Sequence, residues 1–209
     1  VAVVHGEEGC GKTALVERLK TLMQLDGIVV GVGRPGPEAL ASVRRAFDEV
    51  HAERRLFTRR RKTAIQLRMA LTEWLMRVGK AREMMLVFED LHEADADSFA
   101  LAVHFAEVLR LDEASKVRVV LTWRDAELAA AGRKVELRDV EEVVLGPVDV
   151  EAVAAARLGG VVSARLAAQL RGVTEGNASL RETVRERGRC TERAGAWEAA
   201  GPLEIERGA

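Results

Sequence analysis

The chain has 209 residues, of which 48% are apolar and 31% charged, and its 32 basic and 33 acidic residues give a formal net charge of −1. This composition is sufficient for a buried core and gives no indication of a nucleic-acid or membrane surface. Two cysteines, no signal peptide and no apolar run near the ~20 residues of a membrane span exclude a disulfide framework and a membrane protein, so we expect a cytoplasmic location.

The first predicted strand, Ala2–His5, leads into a glycine-rich loop and an amphipathic helix that runs to about Gln24. The loop has the spacing G-x-x-x-x-G-K-T of the phosphate-binding P-loop, whose glycines let backbone amides point at phosphate oxygens. Lys12 is expected to contact the β- and γ-phosphates, and the Thr13 hydroxyl to bind Mg²⁺. His5 is interpreted as structural. The predicted nucleotide-binding residues are Gly6, Glu7, Glu8, Gly9, Cys10, Gly11, Lys12, Thr13 and Ala14.

A second strand is predicted at Ile28–Val32, followed by a long helical region from Pro37 to Gly79. This region contains a basic run from Arg54 to Lys62. Because no aromatic residues are interleaved with it and acidic residues precede it, we interpret the run as a solvated helix face or loop rather than a nucleic-acid contact.

The third predicted strand, Met84–Glu89, is strongly apolar and ends in two adjacent acids, Glu89 and Asp90. Downstream of a P-loop, a buried strand that ends in two carboxylates is typical of a Walker B motif. Adjacent residues of a strand point to opposite faces, so the two carboxylates can have different roles. Glu89 is predicted to hold Mg²⁺, and Asp90 to orient or deprotonate the attacking water.

A buried helix is predicted at Asp97–Arg110 with Asp95 as its cap, and a fourth strand at Val117–Thr122. In a P-loop sheet the fourth strand should lie beside the Walker B strand, with its carboxyl end toward the γ-phosphate. Arg124, just after that end, is predicted to sense the phosphate by charge-assisted hydrogen bonds. The alternative is a surface arginine paired with Asp125.

The fifth strand is predicted at Glu142–Leu145, and no strand is expected after Gly146-Pro147. The predicted fold class is α/β, a doubly wound parallel P-loop sheet of about five strands with a small C-terminal helical lid. The predicted domains are a nucleotide-binding core at 1–146, a helical lid at 147–187, and at 188–209 either a loose tail or the first hairpin of another domain, the only later strands considered. The absence of an initiator methionine leads us to expect a piece of a longer protein. The predicted lid helices are Val150–Leu158, Val162–Arg171 and Ser179–Arg187.

Four strings resemble motifs of the signal-transduction ATPases with numerous domains, the STAND class of AAA+-like P-loop proteins. Leu86–Asp95 is similar to their "LVLEDLHWAD" segment, and Thr122–Asp125 to their "T-[YW]-R-D" string. Leu145–Pro147 resembles the "L-x-P-L" exit from their sheet, and Thr174–Ala178 their "T-G-G-N-P" lid motif. This resemblance implies ATP rather than GTP as the ligand, slow turnover, and a role as a signalling module in large bacterial transcription regulators, cyclases or kinase-linked sensors.

Two positions depart from that family: Ala178 replaces the lid proline, and Glu93 replaces an aromatic residue after the histidine. The leading hypothesis is an ATP-binding, slowly hydrolysing switch that exchanges ATP and ADP and acts on other domains of the same protein. One alternative is an AAA+ motor or DNA-loading ATPase, with an arginine finger among the basic residues Arg133, Lys134 and Arg138 before the fifth strand. The second is a degenerate scaffold without nucleotide, and a small-molecule kinase is least favoured. A homo-oligomer stays open, no membrane partner is expected, and nucleic acid would be bound only by domains outside this sequence.

Overall fold

A computed structural model of the chain describes residues 1–50, 64–147, 149–174, 190–193 and 195–199. The chain divides into two compact units. One contains Val1–Gly6 and Lys12–Val144, and the other contains Glu7–Gly11 and Leu145–Ala209. The predicted basic run from Arg54 to Lys62, the predicted helix Ser179–Arg187 and four of the five residues of the predicted lid motif lie outside the described residues.

The first unit is built on a five-stranded parallel sheet with the strand order β2-β3-β4-β1-β5. This arrangement confirms the predicted α/β parallel fold class, and each strand lies within one or two residues of its predicted bounds. β3 is the most apolar strand and is buried along its whole length, as expected for a strand with neighbours on both sides. The strands are β1 Ala2–His5, β2 Val29–Gly33, β3 Met84–Phe88, β4 Val117–Trp123 and β5 Glu141–Val144.

Five described helices belong to this unit. The helix α4 begins where predicted, because the Asp95 carboxylate accepts a hydrogen bond of 3.0 Å from the backbone N–H of Ser98. The predicted helical region from Pro37 to Gly79 contains two helices, separated by residues outside the described part of the chain. The helices are α1 Lys12–Leu25, α2 Ala41–Glu49, α3 Ala64–Ala81, α4 Ala96–Leu111 and α5 Asp125–Ala130.

Two glycines let α2 lie directly against β2. A Cβ atom at Gly31 would lie 2.1 Å from the carbonyl oxygen of Ala46, and one at Gly33 would lie 2.1 Å from that of Ser42. On the other side of α2, Phe47 is fully buried, and its ring centroid lies 5.6 Å from that of Phe105 on α4. This packing fixes the carboxyl end of β2, which borders the candidate site.

The second unit contains α6 Val150–Leu158, β6 Val161–Val162, α7 Ala164–Thr174, β7 Cys190–Arg193 and β8 Ala196–Ala199. β7 and β8 pair antiparallel, in agreement with the alternative of a hairpin at 188–209. The expectation that the strands otherwise stop after Gly146-Pro147 is wrong, because β6 pairs parallel with β8. A two-residue strand gives no periodic pattern, and its partner lies more than thirty residues later, so the sequence alone did not reveal it. Of the helices in the described part of the chain, none has the length and apolar character needed to cross a bilayer.

Candidate functional site

The P-loop connects the end of β1 at His5 to the start of α1 at Lys12. Three of its residues, Gly6, Gly9 and Gly11, have φ angles of 143°, 73° and 98°. Residues with a side chain rarely adopt these angles, whereas glycine does so without steric cost. At Gly11 a Cβ atom would meet nothing within 4 Å, so the backbone angle, and not lack of space, requires glycine there.

Lys12 is the first residue of α1 and is only 6% exposed. Its ammonium group donates a hydrogen bond of 2.8 Å to the carbonyl oxygen of Gly6. The side chain therefore reaches from the last part of the loop back to its first residue. A buried ammonium at this place supplies the positive charge that the P-loop pattern predicts for phosphate binding.

The two neighbouring strands hold the acid pair by accepting hydrogen bonds from its backbone N–H groups. The N–H of Glu89 donates to the carbonyl oxygen of Gly33 at the end of β2 (2.9 Å). The N–H of Asp90 donates to the Thr122 hydroxyl oxygen on β4 (3.1 Å). Asp90 has a left-handed backbone with a φ of 50°, a conformation that aspartate and asparagine tolerate better than most residues. The chain therefore turns sharply between the two carboxylates.

Arg34, which the sequence analysis missed, neutralises the first acid. Its Nη2 donates to Glu89 Oε1 at 3.1 Å and to Glu17 Oε1 at 2.5 Å. Glu89 is 2% exposed, and this burial raises its pKa, while the hydrogen bond and charge of Arg34 lower it; the net pKa lies above the ordinary value. An available signal was the position of Arg34 just after β2, because the carboxyl ends of parallel strands meet at one edge of the sheet.

Replacing Arg34 by glutamine should reduce the free energy of unfolding by about 1–2 kcal/mol at pH 7, because a buried carboxylate loses its charged partner. The expected loss in the free energy of unfolding is small because solvent screens the pair: about half of the Arg34 side chain is exposed. Urea unfolding measures the change. The control is Arg118→Gln, whose pair with Glu83 is half-exposed on both sides and should contribute less than about 0.5 kcal/mol. Equal losses in the two variants would contradict a special role for the Arg34–Glu89 pair.

The predicted Mg²⁺ ligands fit that ion. The Thr13 hydroxyl and the Glu89 carboxylate are both hard oxygen donors. Thr13 lies one turn before Glu17 on α1, and Glu17 shares Arg34 with Glu89, so that face of α1 is directed toward the acid. In the described ranges, no three His, Cys, Asp or Glu side chains are grouped as a metal site. Two oxygen donors of this kind suit an ion that keeps several water molecules and takes further oxygens from a phosphate, as Mg²⁺ does.

Arg124, the residue after β4, forms hydrogen bonds with the side chains of His92 and Glu127. Its N–H donates to His92 Nδ1 (3.3 Å), and its Nη1 donates to Glu127 Oε1 (3.3 Å). The predicted alternative partner was Asp125, but that carboxylate contacts other residues. β4 does lie beside β3, as predicted, with Phe88 paired to Leu121. The role of Arg124 in sensing phosphate stays a prediction.

His92 and Arg133 fix the loop that follows the acids. Burial lowers the pKa of His92, and its Nδ1 accepts a hydrogen bond from the backbone N–H of Arg124, so the side chain satisfies a backbone group at the end of β4. Arg133 Nη1 donates to the carbonyl oxygens of Leu91 (2.9 Å) and His92 (3.4 Å), and its guanidinium carbon lies 5.1 Å from the centre of the Phe99 ring. Arg133 thus contacts residues of its own chain, and the arginine-finger alternative stays a prediction.

A parallel sheet in the order β2-β3-β4-β1-β5, with a glycine loop and lysine after β1 and two acids after β3, defines a P-loop nucleoside-triphosphatase fold. Residues 1–130 match the family described as "AAA domain". The match covers more than half of the chain, so the chain belongs to the AAA domain family. No curated protein sequence is significantly similar to it.

Three solved structures share the fold. Cdc6p from Pyrobaculum aerophilum has a TM-score of 0.56 at 16% identity and matches 81% of this chain and 47% of its own. The Aeropyrum pernix ORC1 protein in complex with DNA has a TM-score of 0.54 at 17% identity, covering 90% of this chain and 54% of its own. Drosophila ORC bound to DNA has a TM-score of 0.50 at 16% identity, covering 76% and 40%. This chain thus spans about half the length of these proteins, and at such identities the similarity concerns the fold alone.

Proposed function

We propose that this AAA domain binds ATP with Mg²⁺, hydrolyses it slowly and acts as a nucleotide-dependent switch for other domains of a larger protein. The observation that carries this proposal is the buried Lys12 ammonium at the P-loop, on the same sheet edge as a fixed pair of carboxylates. A site that brings a cation and acids to the carboxyl edge of a parallel sheet is suited to phosphoryl transfer to water.

Each residue has one role in this proposal. The amides of Gly6–Ala14 and the Lys12 ammonium hold the phosphates, and Thr13 and Glu89 hold the metal. Mg²⁺, when bound, neutralises charge on the phosphate oxygens. The Asp90 carboxylate accepts a hydrogen bond from the attacking water and orients it, and its position is fixed through its backbone bond to Thr122. Arg124 distinguishes ATP from ADP by contacting the γ-phosphate.

The resemblance to the STAND class favours a switch over a motor, and the residues of its longest motif have defined contacts in this chain. Within the string Leu86–Asp95, the residues Leu91 and Ala94 are buried, and Asp95 caps α4. These contacts make the string a rigid link from the acid pair to the next helix. In a switch, such a link lets the bound nucleotide bias one conformation over another.

Calorimetric titration with ATP and with ADP, both with Mg²⁺, followed by measurement of phosphate release, tests this function. We expect ATP binding with turnover well below about 1 s⁻¹, the low end for ordinary enzymes. Rapid hydrolysis stimulated by DNA would instead support the alternative of a DNA-loading ATPase. The absence of binding to either nucleotide would support the scaffold alternative.

Replacing Arg124 by alanine should weaken ATP binding about tenfold and change ADP binding less than about twofold, because a charge-assisted hydrogen bond to the γ-phosphate is lost. Calorimetry with both nucleotides measures the two affinities. The matched control is Arg118→Ala, which replaces an exposed arginine of β4, the strand that ends just before Arg124. It should leave both affinities unchanged. If Arg124→Ala discriminates ATP from ADP as well as the unchanged chain does, Arg124 is not the sensor.

A further inference from the structure

His5, the last residue of β1, lies between two carboxylates. Its Nδ1 is 3.0 Å from Asp125 Oδ2, at the start of α5, and its Nε2 is 2.8 Å from Glu142 Oε1, on β5. The imidazole also stacks on the Trp123 ring of β4, with centroids 5.2 Å apart and planes inclined by 7°. The Trp123 indole N–H donates to Asp125 Oδ1 at 3.0 Å. His5 thus joins β1 to β4, α5 and β5.

This geometry fits a protonated imidazole. An ionised carboxylate only accepts hydrogen bonds, and a neutral imidazole carries a single N–H, so it can donate to one carboxylate at a time. Two simultaneous contacts below about 3.0 Å, one from each ring nitrogen, need both N–H groups of the imidazolium. Burial lowers the pKa of His5, but the hydrogen bonds and charges of Asp125 and Glu142 raise it more, so the pKa lies above its ordinary value.

The position of His5 connects this proton to the phosphate site. The next residue, Gly6, begins the P-loop, and its carbonyl oxygen holds the Lys12 ammonium. Asp125 directly follows Arg124, the predicted phosphate sensor. Loss of the proton would change the charge of the group His5, Asp125 and Glu142 from −1 to −2 and would leave one carboxylate without its donor. Both effects act close to where the negatively charged phosphates would bind.

We propose that His5 is a positioning residue whose proton couples nucleotide affinity to pH, with tighter binding when the imidazole is charged. The inference rests on the proposed function, since it concerns binding of ATP at the P-loop. The titratable groups that face His5 are Asp125 from α5 and Glu142 from β5, while β4 contributes the uncharged Trp123. An added negative charge at the strand end that leads into the P-loop should weaken binding of the negatively charged phosphates by about fivefold.

The test compares ATP affinity between pH 6.0 and pH 8.5 in the unchanged chain and in His5→Gln. Dividing the affinity of the unchanged chain by that of His5→Gln at each pH cancels the effect that protonation of ATP itself has on both. We expect the unchanged chain to bind more tightly at low pH, by about fivefold, and the two proteins to converge at high pH. The control His104→Gln replaces a half-buried histidine of α4 and should follow the unchanged chain. Parallel pH profiles for His5→Gln and the unchanged chain would overturn the inference.

A second variant covers the case in which His5→Gln does not fold. Glu142→Gln removes one of the two carboxylates that contact His5. The Glu142 side chain is 62% exposed, so the change should not prevent folding, and it should shift the midpoint of the affinity profile to lower pH. Nuclear magnetic resonance of the His5 ring protons should show the same shift without nucleotide. An unmoved midpoint would overturn the inference. No ATP binding by the unchanged chain at any pH would overturn the proposed function as well, which distinguishes the two failures.

The same proton should contribute to folding. Because the pKa of His5 is raised in the folded chain, its stabilising effect is fully present below the unfolded value of about 6.5 and is lost as the pH rises through the folded value. Urea unfolding should therefore show a larger difference between the unchanged chain and His5→Gln at pH 6.0 than at pH 8.5. A difference that does not change with pH would indicate packing against Trp123 alone and would contradict the imidazolium.

Discussion

Replacing Lys12 by alanine is expected to weaken ATP binding by at least about 100-fold, enough to remove detectable binding in a calorimetric titration with Mg²⁺. The ammonium is buried, lies at the first residue of α1 and contacts the first residue of the P-loop. No other described lysine has this position, so the variant should leave the phosphates without their point charge.

The control for this experiment is Lys20→Ala. Lys20 lies about two turns further along α1, and its ammonium group pairs with Glu49 at 3.4 Å. Its loss should leave ATP affinity unchanged, since the charge is directed at α2. Thermal unfolding of both variants verifies that they are folded. Unchanged affinity in Lys12→Ala would remove the P-loop assignment, and with it the proposed switch.

Replacing Asp90 by asparagine should retain ATP binding within about threefold and reduce the rate of hydrolysis by at least about 100-fold, because the carboxylate that orients the water is lost. Asparagine has the same shape and tolerates the left-handed backbone at this residue. The backbone bond to Thr122 is also kept. Phosphate release in a single turnover, followed over hours, measures the rate.

The matched control is Asp97→Asn, an exposed aspartate in the first turn of α4, which should hydrolyse ATP at the unchanged rate. Loss of binding in Asp90→Asn, in place of loss of hydrolysis, would mean that Asp90 holds the metal. The roles of the two acids would then be exchanged, and Glu89→Gln would become the variant that binds without hydrolysis.

The five-stranded sheet could be predicted from the sequence because four of its strands are short apolar runs between turn residues, and the fifth ends in one. Met84–Phe88 illustrates this: it is buried at every position and is followed at once by two acids. The strand Val161–Val162 could not be predicted, since two residues give no alternation and its pairing with Ala196–Trp197 depends on long-range contacts. Local patterns therefore sufficed for the core sheet and for the helix Val150–Leu158 of the second unit, but not for the short strand of that unit.

The candidate site was predicted only as far as its motifs extend. The P-loop and the acid pair are local strings, and their spacing alone indicates their chemistry. The contacts Arg34–Glu89 and His5–Glu142 join residues 55 and 137 positions apart. These pairs arise because β2 lies beside β3, and β1 beside β5, so their carboxyl ends meet. Charge pairs of this kind can be anticipated once the strand order is known, but not from the sequence alone.

The glycines of β2 have a practical meaning for protein engineering. Since backbone oxygens of α2 lie 2.1 Å from where a Cβ would stand at Gly31 and Gly33, no side chain can separate the strand from the helix. The strand β2 and the helix α2 therefore pack without a gap, and Arg34 directly follows the carboxyl end of the strand. An engineered version of this domain should therefore keep Gly31, Gly33 and the Arg34–Glu89 pair, because a change at any of them would disturb the support of the candidate site.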